Sequence, residues 1–375
     1  MNWINNMRMR TKLLVFMLII GLLPIMASIA ISYINSTKAL YEQVNQKNNT
    51  VEQSVTKFIV SWVGERSQDA KSLTTISRIR SMDVETASEA IGEYYKLWQI
   101  YETMFVTGLN GKTIATSDGK TYDLSERAYI QEALDGKSAI SDLLISKASG
   151  NLIIAFAEPI YADGRVVGTV GIVVPITQIT DLLSEELSAR TDDIYLVNAQ
   201  GFLATSPRFV DEMQAKGLFE VRPELEYQLT NLASETLQAG GSGEGVYDNY
   251  LGNEVEGHFT WIPEIKLGLI TEMQVSEINA SANQLLIISG IILVVSVIFV
   301  VLLALLISNS ITKPLSVLVM AGRQLSVGDL VRDVDENQKK QISNRKDEIG
   351  DIGQSFTGIV NYMQDRAAVA QSIAM

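Results

Sequence analysis

The chain reads as an α+β protein carried on two membrane-crossing helices, with a helical coiled coil after the second crossing. Three observations lead there. Two long uncharged apolar runs stand far apart, the polar stretch between them changes from helical to alternating patterning, and the tail is spaced in heptads.

Residues 13–34 form the first run, 22 residues without a charge, and residues 285–307 the second, with 23. A helix rising about 1.5 Å per residue crosses the roughly 30 Å hydrocarbon layer in about 20 residues, so each run is long enough to span it. Arg8, Arg10 and Lys12 give the first run a basic start, as in a signal peptide. Its apolar stretch is nevertheless longer than the roughly 7–15 residues of a signal core, and Pro24 at mid-span is tolerated in lipid. Only Ser289, Gly290 and Ser296 interrupt the second run. Basic residues alone precede the first run, and Lys313 and Arg323 follow the second before the first acid, Asp329. That bias places both termini in the cytoplasm and the domain between the runs on the far side of the plasma membrane.

The expected organisation is a cytoplasmic N-terminus (1–12), a span (13–34), an outer domain (35–284), a second span (285–307), and a cytoplasmic tail from 308. Between the runs lie 19 basic and 35 acidic residues, against 30 and 43 in the whole chain, whose net charge is −13. So acidic a domain does not suit nucleic acid or anionic lipid. With no cysteine and a single histidine, His258, thiol catalysis, thiolate or histidine metal clusters and a His-based triad are excluded. No catalytic residue, metal site or cofactor is expected.

Residues 35–101 hold two glycines, Gly64 and Gly92, and no proline, and Val44, Val51, Val55, Phe58 and Trp62 form an apolar stripe. One continuous long helix is expected. The pattern then turns to short strands with glycine turns: 104–107 and 113–116 about Asn110-Gly111, then 152–157 and 166–176 about 162–165. The same grammar returns with 194–197 and 202–205 as a hairpin about 198–201, followed by strands at 245–247, 257–261 and 267–271. Two α/β lobes of one architecture are expected, at 102–190 and 191–275.

With these elements in order, the chain resembles the double-Cache family of extracytoplasmic sensor domains. The resemblance is carried by the opening helix, VTGLNGKTIATS at 106–117, DLSERAYI at 123–130, GTVGI at 168–172 and LVNAQGFLATSP at 196–207. It implies a two-lobed fold in which the membrane-distal lobe holds a small-molecule ligand. Family members that bind amino acids grip the carboxylate with a Tyr, an Arg five residues on and an aromatic two beyond, and Tyr122, Arg127 and Tyr129 match. A guanidinium fork makes two parallel charge-assisted bonds to a carboxylate, and flanking rings exclude water. The family's acid for the ligand ammonium falls at Val173 and its second-strand tyrosine at Leu144. A buried ammonium without a counter-charge is costly, so an organic acid is expected in preference to an α-amino acid. The alternative is that Arg127 pairs with Asp123 or Glu126 at the surface. Trp98 and Tyr101 are read as core, with the cavity as their alternative.

In the tail, Ile311, Leu315, Leu318, Gly322 and Leu325 step by four and three, a seam opening near Pro314. Ile349, Ile352, Phe356, Ile359 and Met363 repeat the step, and a polar connector with Gly328-Asp329-Leu330 and an insert at 337–346 lies between. Asp347 and Glu348 open the second helix where its dipole favours acids. The tail resembles a HAMP relay module (308–366), a parallel four-helix bundle of two chains, which implies a homodimer. Residues 367–375 then begin a signalling helix truncated at Met375. The tail carries no histidine, no kinase glycine loop and no cyclase motif. The whole resembles the sensing half of a methyl-accepting chemotaxis protein, a transmembrane receptor and not an enzyme. Kinase and adaptor partners are expected only through an output domain outside this sequence. The alternative is the input module of a sensor histidine kinase or diguanylate cyclase.

Overall fold

The computed structural model describes residues 7, 9–187, 189–327 and 335–374, so Gly328-Asp329-Leu330 lies outside the described residues. The chain divides into two units, residues 37–282 and residues 1–36 with 283–375.

Helix α1 (Met9–Leu73) enters the first unit and ends at Leu73, so the continuous helix expected to residue 101 is corrected. Hydroxyl groups cause the break. Ser72, Thr74 and Thr75 donate to the carbonyls of Asp69, Lys71 and Ser72 at 2.7 Å, offering the backbone an alternative to the helical ladder. A single turn, α2 (Ser77–Arg80), follows, and Met82 at φ 55° redirects the chain. Asp83 then caps α3 (Val84–Trp98) by accepting from the Thr86 amide at 3.0 Å.

Six strands make the first sheet: β1 (Thr103–Gly108), β2 (Thr113–Thr116), β3 (Ala139–Ile140), β4 (Leu144–Ile145), β5 (Leu152–Ala162) and β6 (Arg165–Pro175). Their order is β2-β1-β6-β5-β3, all antiparallel, with β4 also pairing β5. β5 and β6 close through Asp163 (φ 47°) and Gly164 (φ 74°), the left-handed pair that a tight hairpin turn needs. α4 (Ala128–Leu134) covers one face of this sheet, and α5 (Thr177–Glu185) follows β6.

The second sheet is smaller, with β7 (Asp193–Asn198), β8 (Ser242–Asp248), β9 (Glu254–Ile262) and β10 (Leu267–Gln274) in the order β7-β10-β9-β8. The hairpin expected from 194–205 forms as a short one: Val197 bridges Leu203, the Asn198 amide donates to the Phe202 carbonyl at 2.9 Å and the Ala204 amide to the Leu196 carbonyl at 2.7 Å, without a full second strand among the described residues. The hydroxyl of Thr205 takes the bond of the Leu196 amide at 2.9 Å, and the Leu203 amide turns away to the Tyr227 carbonyl. Helices α6 (Val210–Ala215) and α7 (Leu232–Gln238) complete this part.

Strand alternation sorts the core. Met104 and Val106 of β1, with Ile194 and Leu196 of β7, join the cluster built on α1, while Phe105, Tyr195 and Val197 belong to clusters on the opposite sheet faces. On α1 the face in contact is Val55, Ile59, Trp62, Val63, Ala70 and Leu73. Phe58 is 40% exposed and Ile59 is fully buried, so the expected stripe is corrected by one residue to Ile59. All three core clusters lie inside 37–282. At about 1.5–3 kcal/mol per large apolar side chain, they supply that unit with a core of its own.

In the other unit, the apolar part of α1 meets α8 (Val275–Ile307) where Gly21 faces Val300; a Cβ on Gly21 would stand 3.0 Å from Val300 Cγ2. Both apolar stretches are long enough to cross a membrane. A π-helical turn (Ser308–Thr312) leads to α9 (Lys313–Ser326), α10 (Glu336–Ser343) and α11 (Glu348–Ala374). Pro314 sits in the first turn of α9, where its missing N–H costs nothing. The insert expected as connector is thus helical over most of its length, with Ile342 buried against Gly353. Asp347 caps α11 by accepting from the Gly350 amide at 3.1 Å, and Arg345 bonds Asp347 and the Ser310 carbonyl.

Candidate ligand-binding site

Tyr122, Arg127, Tyr129, Leu144 and Val173 line one cavity in the first sheet, on the face covered by α4. Local chemistry holds each in place. Thr113 of β2 donates its amide to the Tyr122 carbonyl at 2.9 Å and accepts the Tyr122 amide on its hydroxyl at 2.7 Å. Gly111 (φ 70°) lets the 123–125 loop come close, since a Cβ there would stand 2.6 Å from Ser125 Cα. The loop then turns into α4, with Arg127 at its N-cap position in extended conformation, so the guanidinium projects from the helix start. Tyr129 is buried in the first turn, and Val173 pairs with Thr103 of β1.

Arg127 donates Nη2 to the carbonyl of Ile145 at 3.2 Å. Neither Asp123 nor Glu126 takes it; Asp123 pairs with Lys112 at 3.6 Å. The Tyr122 hydroxyl donates to Asp118 at 2.5 Å. Burial, that hydrogen bond and the Asp118 charge push its phenol up to about 12, with Glu102 adding to the effect. Burial pushes Tyr129 up to about 12 as well, against the nearby Arg127 charge. Both rings therefore stay neutral near pH 7, leaving Arg127 and Lys147 as the wall's positive groups. Lys147 donates Nζ to the Asp123 carbonyl.

The cavity is about 40 Å³, room for only a few waters. On its 144–148 side, β4 is two residues long and Ile145 is 47% exposed. Thr103, Phe105, Ser146 and Lys147 also line it, and sequence reasoning missed them. Residues 103 and 105 share a strand face, a readable signal, but only the β1–β6 register shows that this face meets Val173. Trp98 and Tyr101 join the α1 cluster, Tyr101 bonding Asp69 and stacking edge-on with Trp98. Among the described residues no cluster suited to a metal ion occurs.

The two-sheet fold, with a pocket in its first sheet, fits the class of small-ligand sensor domains. Residues 36–282 match the Cache-domain model dCache_1, and the chain belongs to that family. It is 24% identical over 370 residues to the methyl-accepting chemotaxis protein McpB of Bacillus subtilis, covering 95% of this chain and 51% of that protein. The chain thus spans about half the length of such curated relatives. The ligand-binding domain of Campylobacter jejuni chemoreceptor Tlp3, solved in complex with L-norvaline, superimposes with a TM-score of 0.51 at 13% identity, over 64% of this chain and 94% of that one. The extracellular domain of the putative histidine kinase rpHK1S-Z16 does so at 0.51 and 12%, over 63% and 97%.

Proposed function

We propose that this chain is the sensing and relay part of a transmembrane chemoreceptor, with the two-lobed 37–282 unit outside the plasma membrane and both termini in the cytoplasm. Its ligand is a small carboxylate held by Arg127. One observation carries the reading: the guanidinium, in a wall with two neutral tyrosines, has among the described residues only a neutral carbonyl as hydrogen-bond partner. A carboxylate makes the stronger, charge-assisted bond, so it displaces the Ile145 carbonyl and shifts the 144–148 wall. β6 offers no acid at Val173, which favours an organic acid over an α-amino acid unless a carboxylate reaches the cavity from another strand. L-Norvaline in the Tlp3 structure supports a ligand of this size class.

Contacts with α1 supply a route for the signal. Arg66 lies against the rings of Trp62 and Tyr101 at 5.5 and 5.8 Å, and Asp69 receives the hydroxyl of Tyr101, two residues before Thr103 of the cavity wall. In the second sheet's part, Lys47 pairs with Asp192 at 2.9 Å, and Asn48 donates to the Glu256 carbonyl at 3.1 Å. β10 runs into α8 without a loop. Ligand acts through its differential affinity for two packing states, worth a few kcal/mol at most. The relay is a HAMP module in a homodimer. α9 buries none of its residues, and Ile352, Ile359 and Met363 are 46%, 49% and 39% exposed, which supports a second chain packing there. Leu318 and Phe356 line a groove of about 390 Å³, and Leu315, Leu325 and Ile349 are half-buried. The likeness to the rpHK1S-Z16 domain favours a second reading, the input module of a sensor histidine kinase.

The test is thermal-shift screening of residues 37–282 against small carboxylates, since a ligand of the folded state raises the melting temperature. Arg127→Ala is expected to weaken any hit by at least about 30-fold, the loss of a charge-assisted bond worth roughly 2 kcal/mol. Unchanged affinity would refute the pocket.

A further inference from the structure

Arg127 and Lys147 line the cavity together, and the reading so far uses only Arg127. No acid is among the described residues that line it, so the wall carries two positive groups and no negative one. The carboxylates that touch lining residues stay outside that lining: Asp118 accepts from the Tyr122 hydroxyl and Glu102 from the Ser146 hydroxyl. Lys147 also has a defined place in the chain. It follows Ser146 in a turn closed by two backbone bonds, from the Ser146 amide to the Asn151 carbonyl at 2.8 Å and from the Gly150 amide to the Ser146 carbonyl at 3.0 Å.

The two cations cross-link the segments that border the cavity. Arg127, at the end of 123–127, donates to the Ile145 carbonyl at 3.2 Å, and Lys147, within 144–148, donates back to the Asp123 carbonyl. Each segment lends a cation to a backbone carbonyl of the other, and among the described residues neither cation pairs with a carboxylate. A single carboxylate on Arg127 frees one of these bonds and leaves the other spanning a cavity of about 40 Å³. A carboxylate on each cation frees both, replacing ion–carbonyl bonds with stronger ion pairs. It also neutralises a wall that would otherwise keep an unpaired charge once ligand has excluded water, which is costly.

We propose that the site takes a dianion, a small dicarboxylate with one carboxylate on Arg127 and the other on Lys147. This rests on the reading of Arg127 given above and adds Lys147 as the residue that sets specificity. Both bonds between the segments give way when the ligand enters, so 123–127 and 144–148 part and the cavity gains room for the ligand's carbon chain. A monocarboxylate opens only half of this strap, and an ammonium group would face two cations.

Residues 37–282, which carry their own core, are titrated near neutral pH with pairs of equal chain length: malonate and propionate, succinate and butanoate, glutarate and pentanoate. The dicarboxylate of at least one pair is expected to bind at least about 10-fold more tightly than its partner. Lys147→Met, which keeps the apolar stem, is expected to weaken that dicarboxylate about 10- to 100-fold and to leave the monocarboxylate within about threefold. Lys147→Arg, which keeps the charge, stays within about threefold on both. Arg127→Ala loses both. Equal binding within every pair, or a Lys147→Met effect that is the same on both partners or absent from both, overturns the inference while leaving the carboxylate site standing. Failure of every compound in both series overturns the carboxylate reading and this inference together.

Discussion

Raising the pH from about 5 to about 8 is expected to lower the melting temperature of the 37–282 unit by on the order of 10 °C, and Glu272→Gln to remove most of that fall. Glu272 on β10 is fully buried, opposite Asp193 in the β7–β10 register. It accepts from Tyr195 at 2.9 Å, Tyr247 at 3.2 Å and Asn249 at 3.0 Å. Burial dominates these bonds and, with the Asp193 charge, raises the acid to about 8. Asp193 accepts from Tyr250 and from the amides of Ile194 and Arg208, and burial raises it to about 6.

Both groups hold a proton in the folded state that the unfolded chain releases near 4.5 and 3.8. Their contribution is full below those values and is lost as pH rises, through about 6 for Asp193 and about 8 for Glu272. Burial raises Glu52 and Glu256 in the same direction. His258, lowered by burial, opposes them, losing stability as pH falls below its ordinary 6.5. Glu272→Gln keeps the volume and most hydrogen bonds, so it isolates the titration from general charge repulsion. A melting temperature flat between pH 5 and 8, or an equal slope in the variant, contradicts the assignment.

Gly171→Ala is expected to abolish ligand binding and to cost about 1–3 kcal/mol of stability, the usual penalty for overpacking a well-packed core. Gly171 pairs with Phe105 across β6 and β1, and the ring lies over it: a Cβ would stand 2.1 Å from Phe105 Cζ and 2.7 Å from both Cε atoms. Phe105 is 2% exposed and lines the cavity, so the ring escapes into space that is only about 40 Å³ to begin with. Calorimetric titration with a screened ligand measures the loss. Gly64→Ala is the control, since a Cβ there meets nothing within 4 Å and helix propensity gains up to about 1 kcal/mol. Ligand affinity in Gly171→Ala equal to that of the parent would contradict the placement of the cavity.

Much of this was legible in the sequence because the signals were local. Apolar runs of 22 and 23 residues, the Asn110-Gly111 and 162–165 turns and the five-residue step from Tyr122 to Arg127 each depend on neighbours close along the chain. What escaped was decided by competition or by distant pairing. Hydroxyls of Ser72, Thr74 and Thr75 ended a helix that propensity would have continued, and Thr205 took a bond that a longer hairpin would have used. Thr103 and Val173 are far apart in sequence and meet only through the β1–β6 register. The core pairing of Asp193 with Glu272 is equally invisible without strand order.

The account as a whole depends on a ligand site and a relay module separated by a membrane. With no native cysteine, a single introduced thiol reports its side without background. Leu109→Cys, at a site 64% exposed, and Tyr362→Cys, at one 61% exposed, are labelled in intact cells with a membrane-impermeant maleimide. The account predicts that Leu109→Cys reacts at once and Tyr362→Cys only after permeabilisation; reaction of both, or of neither, in intact cells would contradict it.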